Sequence, residues 1–387
     1  MSGFKKLNHI KPAQMVMPLF DMVSPLVELV GKNEIRHGCF QLVHFSGCDY
    51  FRLARDARLA AAARRTLTTS GLNVSASRLT TGNRAVYLRL EAALANFFQA
   101  ESALIFSDGY LAPQAAAQAL AGEFTHAFLD ERSHSALLDA SRMLDCPAKK
   151  FPHRDPAALQ KLLAKCGRNT RPLVLTDGMF SYDGSVAPLR AYLKVLPLNG
   201  RILVDDAHGA GVLGRTGKGT LEHEGASRER IIQCATLSKA FGAFGGVVLA
   251  SHALRDKIMA RSRSLAGATP LPPPLAGAAL QAVMILGRDT ARRKRLYANV
   301  AWLQSDLREA GWKIRATPGP VVCLPAMADA EADRLKRMLL AAGIYPPFMK
   351  YGAMARGTFR FVIASEHTHG QLQRLAAVLA DFISTSH

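Results

Sequence analysis

The sequence predicts an α/β protein, with a large domain built on a mostly parallel sheet and a smaller C-terminal α+β domain. Three observations lead to this prediction. Short apolar or β-branched runs alternate with helical patterns between about residues 100 and 250. These runs end in acidic residues or glycine, and beyond about residue 280 the pattern changes to long amphipathic helices. Strands separated by helices favour a parallel sheet that is covered on both faces.

Six runs predict the strands of the large domain: SALIFSDG (102–109), HAFLDE (126–131), RPLVLTDG (171–178), GRILVDDAHG (200–209), IIQCATLSK (231–239) and GGVVLAS (245–251). The helix YLAPQAAAQALAG follows the first run, and SHSALLDASRML follows the second, with Ser133 as its predicted N-cap. Ligands of such sheets bind at the carboxyl ends of the strands. We therefore expect one edge of the sheet to collect the polar residues Asp108, Asp130, Asp177, Asp205 and Lys239.

The C-terminal part is predicted to contain two amphipathic helices, an alternating strand and a closing helix: ARRKRLYANVAWLQSDLREAGW, EADRLKRMLLAAGI, TFRFVIAS and HGQLQRLAAVLADFIS. We divide the chain into an N-terminal segment (1–60), a large domain (61–280) and a small domain (281–387), with the boundary near the proline cluster TPLPPPL (269–275). The N-terminal segment is expected to pack against a partner subunit. Pro18 and Pro25 interrupt its apolar stretch 14–31, which disfavours a membrane-surface helix.

The composition argues against several classes of protein. The 387 residues include no apolar run of the ~18–20 residues that span a bilayer and no apolar signal-peptide core near the start, so we expect a cytoplasmic protein. The six cysteines include no C-x-x-C pair, which favours reduced thiols over a disulfide framework or a metal site.

The net charge is +19, from 49 Lys and Arg residues against 30 Asp and Glu residues. The basic residues are dispersed, and no zinc finger, RNP-like motif or basic tail accompanies them, so nucleic acid is a less favoured partner. Three explanations stay open: an anionic small substrate, an acidic carrier protein that delivers one, and a basic surface that serves only solubility.

The segment TLSKAFGAFGG (236–246) places Lys239 among closely spaced glycines. By itself the segment is equally compatible with a glycine-rich loop that contains an incidental lysine. Asp205 and His208, however, follow a predicted buried strand, and Lys239 lies 34 positions beyond Asp205. Pyridoxal phosphate requires an amine, a carboxylate and a phosphate-binding turn, because its aldehyde condenses with a lysine and its ring nitrogen needs a carboxylate to stay protonated.

Other residues supply the remaining groups that this cofactor needs. Gly109 and Tyr110 open a helix directly after a strand and so offer backbone N–H groups to a phosphate. Thr236 and Ser238 add hydroxyl groups, and His134 is a candidate for stacking on the ring. Each element also has a simpler explanation. The DDAH motif (205–208) could be a cluster of metal ligands, although no third ligand at helical spacing supports it. His134 could simply be a histidine at the start of a helix, and Asp177 could merely end a strand.

Five motifs resemble the signatures of the α-oxoamine synthases: ALIFSDGY, SHSALLDAS, TDGMFSYDGSVAPL, LVDDAHGAGVLGRTGKG and TLSKAFGAFGG. The resemblance covers about residues 44–380 and is strongest between 100 and 250. It implies a fold-type I pyridoxal-phosphate transferase with a seven-stranded sheet, a homodimer with its site at the subunit interface, and no metal. The implied reaction is a decarboxylating condensation of an α-amino acid with an acyl thioester, carried by coenzyme A or by an acyl carrier protein, to give an α-amino ketone.

The resemblance also implies a role for each matching residue. Lys239 corresponds to the lysine that forms the Schiff base, Asp205 to the partner of the ring nitrogen, and His208 to the histidine at the phenolic oxygen. Arg360 corresponds to the arginine that holds the amino-acid carboxylate, and Cys48 lies in a substrate-binding segment. His134 corresponds to the histidine that stacks on the ring. The residues that match the family's other cofactor contacts are Ser181, Gly109, Tyr110, Thr236, Ser238 and Thr269. The catalytic set is expected to be Lys239, His134, Asp205 and His208.

The sequence departs from the family pattern around the expected substrate pocket. Cys48 and Pro113 each replace an asparagine, Arg52 replaces a glycine, Tyr87 replaces a histidine, and Gly267 stands where aromatic and serine residues are usual. These differences mark a divergent member. They keep open another pyridoxal-phosphate reaction on the same fold, such as transamination or retro-aldol cleavage. A non-catalytic pseudoenzyme subunit and a basic nucleic-acid-binding protein are the alternatives of a different class.

Overall fold

The computed structural model describes residues 26–350 and 356–385. The first described elements are three short strands and two helices: β1 (Glu28–Leu29), β2 (Glu34–His37), β3 (Phe40–His44), α1 (Ala57–Ser70) and α2 (Ala85–Phe98). The segment that joins β3 to α1 contributes Phe45, Tyr50, Phe51 and Leu53 to the main hydrophobic core. Most of the apolar stretch 14–31, including Pro18 and Pro25, lies outside the described residues.

Strands and helices then alternate along the middle of the chain. The elements are β4 (Ser102–Phe106), α3 (Leu111–Ala119), β5 (His126–Asp130), α4 (Ser135–Ser141), β6 (Ala148–Phe151), α5 (Pro156–Ala164), β7 (Pro172–Asp177), α6 (Leu189–Val195), β8 (Arg201–Asp205), α7 (Thr220–Glu224), β9 (Ile231–Thr236), β10 (Gly246–Ala250), α8 (His252–Arg261), α9 (Arg263–Gly267) and α10 (Pro273–Arg288). A 3₁₀ helix at Arg228–Arg230 leads into β9.

The strands β4 to β10 form a seven-stranded sheet in the order β4-β10-β9-β8-β7-β5-β6. Strand β10 is antiparallel to both of its neighbours, and the other adjacent pairs are parallel. Every residue of β4, β7, β9 and β10 is buried, because helices cover both faces of the sheet and the strands therefore read as continuous apolar runs. The predicted α/β fold with a mostly parallel, seven-stranded sheet is confirmed.

The C-terminal part adds one three-stranded sheet, a fourth strand to the sheet of β1, β2 and β3, and three helices: α11 (Thr290–Glu309), β11 (Val321–Cys323), α12 (Asp329–Ala341), β12 (Ile344–Tyr345), β13 (Phe348–Met349), β14 (Thr358–Val362) and α13 (His369–Ser384). Strands β11, β14 and β13 form an antiparallel sheet. Strand β12 pairs in parallel with β3, so that Ile344 lies beside Val43. The described part of the N-terminal segment thereby joins the C-terminal part. The domain boundaries and the packing of residues 1–60 against a partner subunit stay predictions.

One predicted helix start is wrong by a residue. The N-cap of α4 is His134, whose Nδ1 accepts the Ala136 N–H at 3.2 Å. Ser133 does not cap the helix, because its own N–H donates to the carbonyl of Asp130 and its buried hydroxyl has no hydrogen-bond partner among the described residues.

In the same described part of the chain, no helix combines the length and the apolar character that crossing a membrane requires.

Candidate active site

A cavity of about 170 Å³ opens at the carboxyl ends of the parallel strands. Strand β7 ends at Asp177 and β8 at Asp205, while the turns after β4 and β9 complete the walls. The lining residues are Asp108, Gly109, Tyr110, His134, Ala136, Asp177, Asp205, Ala207, His208, Thr236 and Lys239. The parallel register therefore brings together residues from four loops, as the edge rule for such sheets predicts.

Asp177 and Asp205 end neighbouring strands and lie side by side in the sheet register. Both side chains are buried. Burial raises the pKa of both carboxyl groups, and the charge of Asp205 raises the pKa of Asp177 further, to well above its usual range. The ammonium group of Lys239 opposes the rise at Asp205. We therefore assign the negative charge of the pair to Asp205 and the proton to Asp177.

Asp206 follows Asp205 directly but holds the backbone together instead of facing the cavity. Its carboxylate accepts the Thr220 N–H at 2.9 Å, the Thr220 hydroxyl at 2.6 Å and the Gln233 amide at 2.6 Å. Burial raises the pKa of this carboxyl group to about 7. Within the described residues, no group of His, Cys, Asp and Glu side chains could hold a metal ion.

Lys239 lies in the loop after β9, and the glycines of this loop bring it close to the chain before α1. Gly242 has a φ of 58°, and a Cβ at this position would lie 2.4 Å from the backbone nitrogen of Ala54. Lys239 is half-buried. Burial lowers the pKa of its amine, against the opposing effect of the Asp205 carboxylate. A lowered pKa increases the fraction of neutral, nucleophilic amine, which makes Lys239 a candidate reactive group.

The turn between β4 and α3 approaches Thr236 so closely that only glycine fits. A Cβ on Gly109 would lie 2.7 Å from the Cβ of Thr236 and 2.8 Å from its hydroxyl oxygen. The Asp108 carboxylate accepts the N–H groups of Tyr110 and Leu111 at 2.9 and 3.1 Å. A phosphate at this turn therefore has the Gly109 N–H and the Thr236 hydroxyl nearby, and competes with Asp108 for the two other N–H groups.

His134 forms part of the cavity wall at the start of α4. Its backbone N–H donates to the Asp177 carboxylate at 2.9 Å. The ring of Tyr110 packs edge-on against the imidazole, with the ring centroids 5.9 Å apart. Because His134 is exposed, its ring is accessible to a planar ligand that enters the cavity.

His208 is buried and hydrogen-bonds to Tyr50, with 2.7 Å between its Nδ1 and the phenol oxygen. Burial and the nearby Lys239 ammonium group hold the pKa of His208 well below its usual range, so the imidazole is neutral. Burial holds the pKa of Tyr50 well above its usual value. The phenol therefore donates to Nδ1, which assigns the imidazole proton to Nε2.

Arg360, on β14, lies close to this hydrogen-bonded pair. Its Nε donates to the carbonyl of Ser181 at 2.5 Å, and a terminal nitrogen lies 3.9 Å from the Cys48 sulfur. Its charge contributes to the depressed pKa of His208. The guanidinium carries five N–H donors, so this half-buried side chain keeps donors for a carboxylate ligand.

Other residues singled out in the sequence lie elsewhere. Thr269 lies in an adjacent cleft that is also lined by Arg78 and Ser107. Ser238 is exposed, and its backbone N–H donates to the Thr236 hydroxyl. The side chain of Tyr87 is fully buried and donates to the carbonyl of Leu271 at 2.7 Å. Buried Pro113 belongs to α3, and Gly267 ends α9 with open space where a Cβ would stand.

Sequence reasoning placed Asp177 at the polar edge of the sheet but gave it no role, and it did not select Tyr50. Asp177 ends a buried strand as Asp205 does, one strand away in the sheet. Tyr50 carried almost no signal in the sequence: it stands 158 positions before His208, and only the folded chain brings the two side chains together.

The cavity fits pyridoxal phosphate. Gly109 leaves space beside the Thr236 hydroxyl that a Cβ would fill. The Asp205 carboxylate opens into the cavity and has a single hydrogen-bond donor among the described residues, the Ala207 N–H at 3.1 Å. The Lys239 amine shares the cavity. These are the amine, the ring-nitrogen partner and the phosphate turn that this cofactor needs.

Comparison with known proteins identifies the family of this chain. The model of the family "Aminotransferase class I and II" matches residues 46–379. The chain is 36% identical over 349 residues to the 8-amino-7-oxononanoate synthase of Methylococcus capsulatus, covering 88% of this chain and 89% of that protein. It is 34% identical over 364 residues to the corresponding synthase of Methylobacillus flagellatus, covering 93% and 90%. The solved serine palmitoyltransferase of Sphingomonas wittichii superposes with a TM-score of 0.87 at 25% identity, covering 93% of this chain and 91% of that one.

The fold and the site together define a fold-type I enzyme that uses pyridoxal phosphate. The chain belongs to the aminotransferase class I and II family and, within it, to the α-oxoamine synthases. Its reaction type is accordingly the decarboxylating condensation of an amino acid with an acyl thioester.

Proposed function

We propose that Lys239, Asp205, His208, His134 and Arg360 carry out this condensation, with an α-amino acid and an acyl thioester as substrates and an α-amino ketone as product. One observation carries the assignment: a half-buried lysine and a buried carboxylate line one cavity, and the charge of an arginine with spare donors, Arg360, acts on the lysine. In the overall reaction the amino acid loses its carboxylate as CO₂, its Cα forms a bond to the acyl carbon, and the thioester sulfur leaves as a thiol with one proton.

The cofactor is held by residues from three loops. Gly109 and Thr236 would bind the phosphate, Asp205 would bind the ring nitrogen, and His208 would donate its Nε2–H to the phenolic oxygen. Bound pyridoxal phosphate supplies an aldehyde that takes up an amine and a ring that accepts electrons from the substrate Cα. The charge on Asp205 keeps a proton on the ring nitrogen, which the neutral Asp177 does not compete for. Ser181, Ser238 and Tyr110 complete the proposed cofactor surroundings.

Lys239 is the proposed base for the proton on the substrate Cα. Burial lowers the pKa of its amine and so favours the neutral form, which would be the acceptor for the Cα proton of the substrate. Arg360 fixes the substrate carboxylate through its remaining N–H groups. Cys48, beside Arg360, would contact the amino-acid substrate, and His134 would stack on the ring and polarise the thioester carbonyl.

We further propose a homodimer. Thr269 is assigned to cofactor binding but lies outside the Lys239 cavity of its own chain. Thr269 would therefore contact the cofactor in the cavity of a second copy of the chain. Phe244 in the lysine loop and Leu275 at the start of α10 are exposed apolar side chains suited to such an interface. Light scattering of the purified protein measures the oligomeric state, and a monomeric active enzyme would contradict the assignment.

The reaction is tested with a panel of amino acids, each incubated with and without an acyl thioester. We expect free thiol and CO₂ in equal amounts, only when both substrates are present, and no release of either by Lys239→Ala. Keto acid or aldehyde formed without any thioester would instead assign transamination or carbon–carbon cleavage to the same site.

A further inference from the structure

A second cleft, of about 250 Å³, lies between the large sheet and the C-terminal part. Arg132 and Tyr182 come from loops after β5 and β7, and Lys313, Arg315 and Cys323 come from the segment between α11 and α12. The apolar residues Leu324 and Pro325 form another part of its wall. We call it the basic cleft.

The basic cleft adjoins the active site at three points. Arg132 precedes His134 by two residues, so their Cα atoms are at most about 7 Å apart. Tyr182 follows Ser181, whose carbonyl accepts from Arg360. Cys323 is the register partner of Arg360 in the antiparallel pair β11–β14, which puts both side chains on one face of that sheet. A flexible ligand that lies in the cleft can therefore extend directly toward Arg360 and His134.

The charge of this cleft is not compensated. Three cations and one carboxylate, Asp183, line it, and Arg315 lies 3.7 Å from that carboxylate. Over the described ranges, the side chains of Arg132 and Lys313 have no hydrogen bond or ion pair, and both are exposed. Two unpaired cations and a weakly paired third create a positive potential that attracts a multiply charged anion.

A second group of cations near the active site is different, because each member already has an ion-pair or hydrogen-bond partner. That cleft is lined by Lys32, Arg52, Arg55 and Arg292, together with the carboxylates of Asp49 and Asp56. Lys32 pairs with Glu366 and Arg292 pairs with Asp289, while Arg52 and Arg55 donate to uncharged amide and carbonyl oxygens. An anion there would have to displace existing partners, so the unpaired basic cleft is the better anion site.

We propose that the basic cleft binds the phosphate of the phosphopantetheine arm that carries the acyl thioester, an inference that rests on the proposed function. Coenzyme A and acyl carrier protein share this arm, with the phosphate at one end and the thioester at the other. Arg132, Lys313 and Arg315 bind the phosphate by charge-assisted hydrogen bonds. The arm then runs past Leu324 and Cys323 and places the thioester carbonyl beside His134 and Arg360.

The double variant Lys313→Ala/Arg315→Ala tests this site, because both side chains are exposed and their removal leaves no buried group unpaired. Lys165→Ala/Arg168→Ala is the matched control: it removes the same charge from exposed positions between α5 and β7, at the opposite edge of the sheet. Calorimetry measures the binding of coenzyme A, of a phosphopantetheinylated carrier protein and of pantetheine to the holoenzyme. Kinetics compare KM for the acyl forms of the same three compounds.

The wild type is expected to prefer phosphorylated compounds over pantetheine. The cleft variant is expected to bind the phosphorylated compounds about tenfold more weakly and to lose its preference for them over pantetheine. Each exposed charge contact contributes a few-fold to the affinity. The control variant keeps wild-type values. The loss is also expected to shrink at high salt. The compound for which the cleft variant loses affinity, coenzyme A or the carrier protein, identifies the acyl donor.

Two results would overturn the proposal: wild-type affinity for both phosphorylated compounds in the cleft variant, or no preference for phosphate in the wild type. Failure of the proposed function is distinguishable, because it would show as absent thiol and CO₂ release, whereas coenzyme A binding is measured independently of turnover.

Discussion

Asp177 and Asp205 lie side by side at the ends of β7 and β8, and burial raises the pKa of both carboxyl groups, with a further rise at Asp177 from the charge of Asp205. The backbone N–H of His134 donates to Asp177. The two carboxyl groups thereby have different protonation states in the same cavity. In the proposed site, the charged Asp205 would serve the ring nitrogen, while the neutral Asp177 accepts the backbone N–H of His134, the residue proposed to stack on the ring.

Asparagine substitutions at these positions are expected to have unequal effects. Asp177→Asn replaces a protonated acid by a neutral amide that still accepts the His134 N–H, so exchange of the substrate α-proton should fall by less than about fivefold. Asp205→Asn removes the charge that keeps the ring nitrogen protonated, and exchange should fall by about 10²–10⁴-fold. NMR of amino-acid exchange in D₂O measures both rates, with cofactor content from absorbance. Equal losses would show that the charge assignment is wrong.

Tyr50 is expected to act as a positioning residue through the tautomer of His208. Tyr50→Phe removes the donor to Nδ1, so the imidazole can carry its proton on either nitrogen, and kcat should fall by about tenfold with an altered pH profile. ¹⁵N NMR of the histidine ring reports the tautomer directly.

Tyr87→Phe is the control for Tyr50→Phe, because this tyrosine is equally buried and its hydroxyl also makes a 2.7 Å hydrogen bond, but outside the cavity. Both variants should lose about 1 kcal/mol of unfolding free energy. A wild-type pH profile and tautomer in Tyr50→Phe would contradict the positioning role.

Lys239→Ala is expected to abolish covalent attachment of pyridoxal phosphate while leaving the fold intact. After borohydride reduction, mass spectrometry of the wild type should find the cofactor on the peptide that contains Lys239, and on no peptide of the variant. Lys194→Ala, an exposed lysine at the end of α6, should label like the wild type. Labelling of Lys239→Ala at another lysine would assign the reactive amine elsewhere.

His367 should make stability depend on pH. Burial and the charge of Arg52 lower its pKa to about 3, below the usual 6.5, so the unfolded chain binds this proton first as the pH falls. Its contribution is therefore present above pH 6.5 and is lost progressively toward pH 3. His367→Gln removes that dependence. The stability gap between wild type and variant should shrink by about 2–3 kcal/mol between pH 6.5 and 4.5, measured by urea unfolding; a constant gap would contradict the shift.

Arg52 has a φ of 51°, a left-handed conformation that costs a non-glycine residue about 1–3 kcal/mol. Arg52→Gly and Arg52→Ala lose the same side-chain hydrogen bonds, but only glycine relieves the backbone. The glycine variant should therefore be the more stable of the two by about 1 kcal/mol in urea unfolding. Ala60, an exposed position in α1, is the control, because the wild type already carries alanine there. Ala60→Gly should be less stable than the wild type, since helical backbone favours alanine over glycine. The same order at both positions would argue against strain at Arg52.

The sequence by itself determined the architecture and the order of the cofactor residues. Local patterns decide where a strand ends: Asp205 ends a buried strand, and His208 and Lys239 each follow one by three residues, so a parallel sheet collects them at one edge. The glycines around Lys239 indicated a close backbone approach, but only the fold shows that Gly242 approaches Ala54.

Only the tertiary structure decided which distant side chains meet. Tyr50 reaches His208 across 158 positions, and Arg360 reaches Cys48 across 312, because β3 pairs with β12 and β14 packs beside the turn before α1. The family resemblance assigns Thr269 to cofactor binding, and only the fold places it in a cleft apart from the Lys239 cavity of its own chain. Such contacts depend on packing and register between elements far apart in the chain. Periodicity and capping preferences extend over only a few residues and carry no information about them.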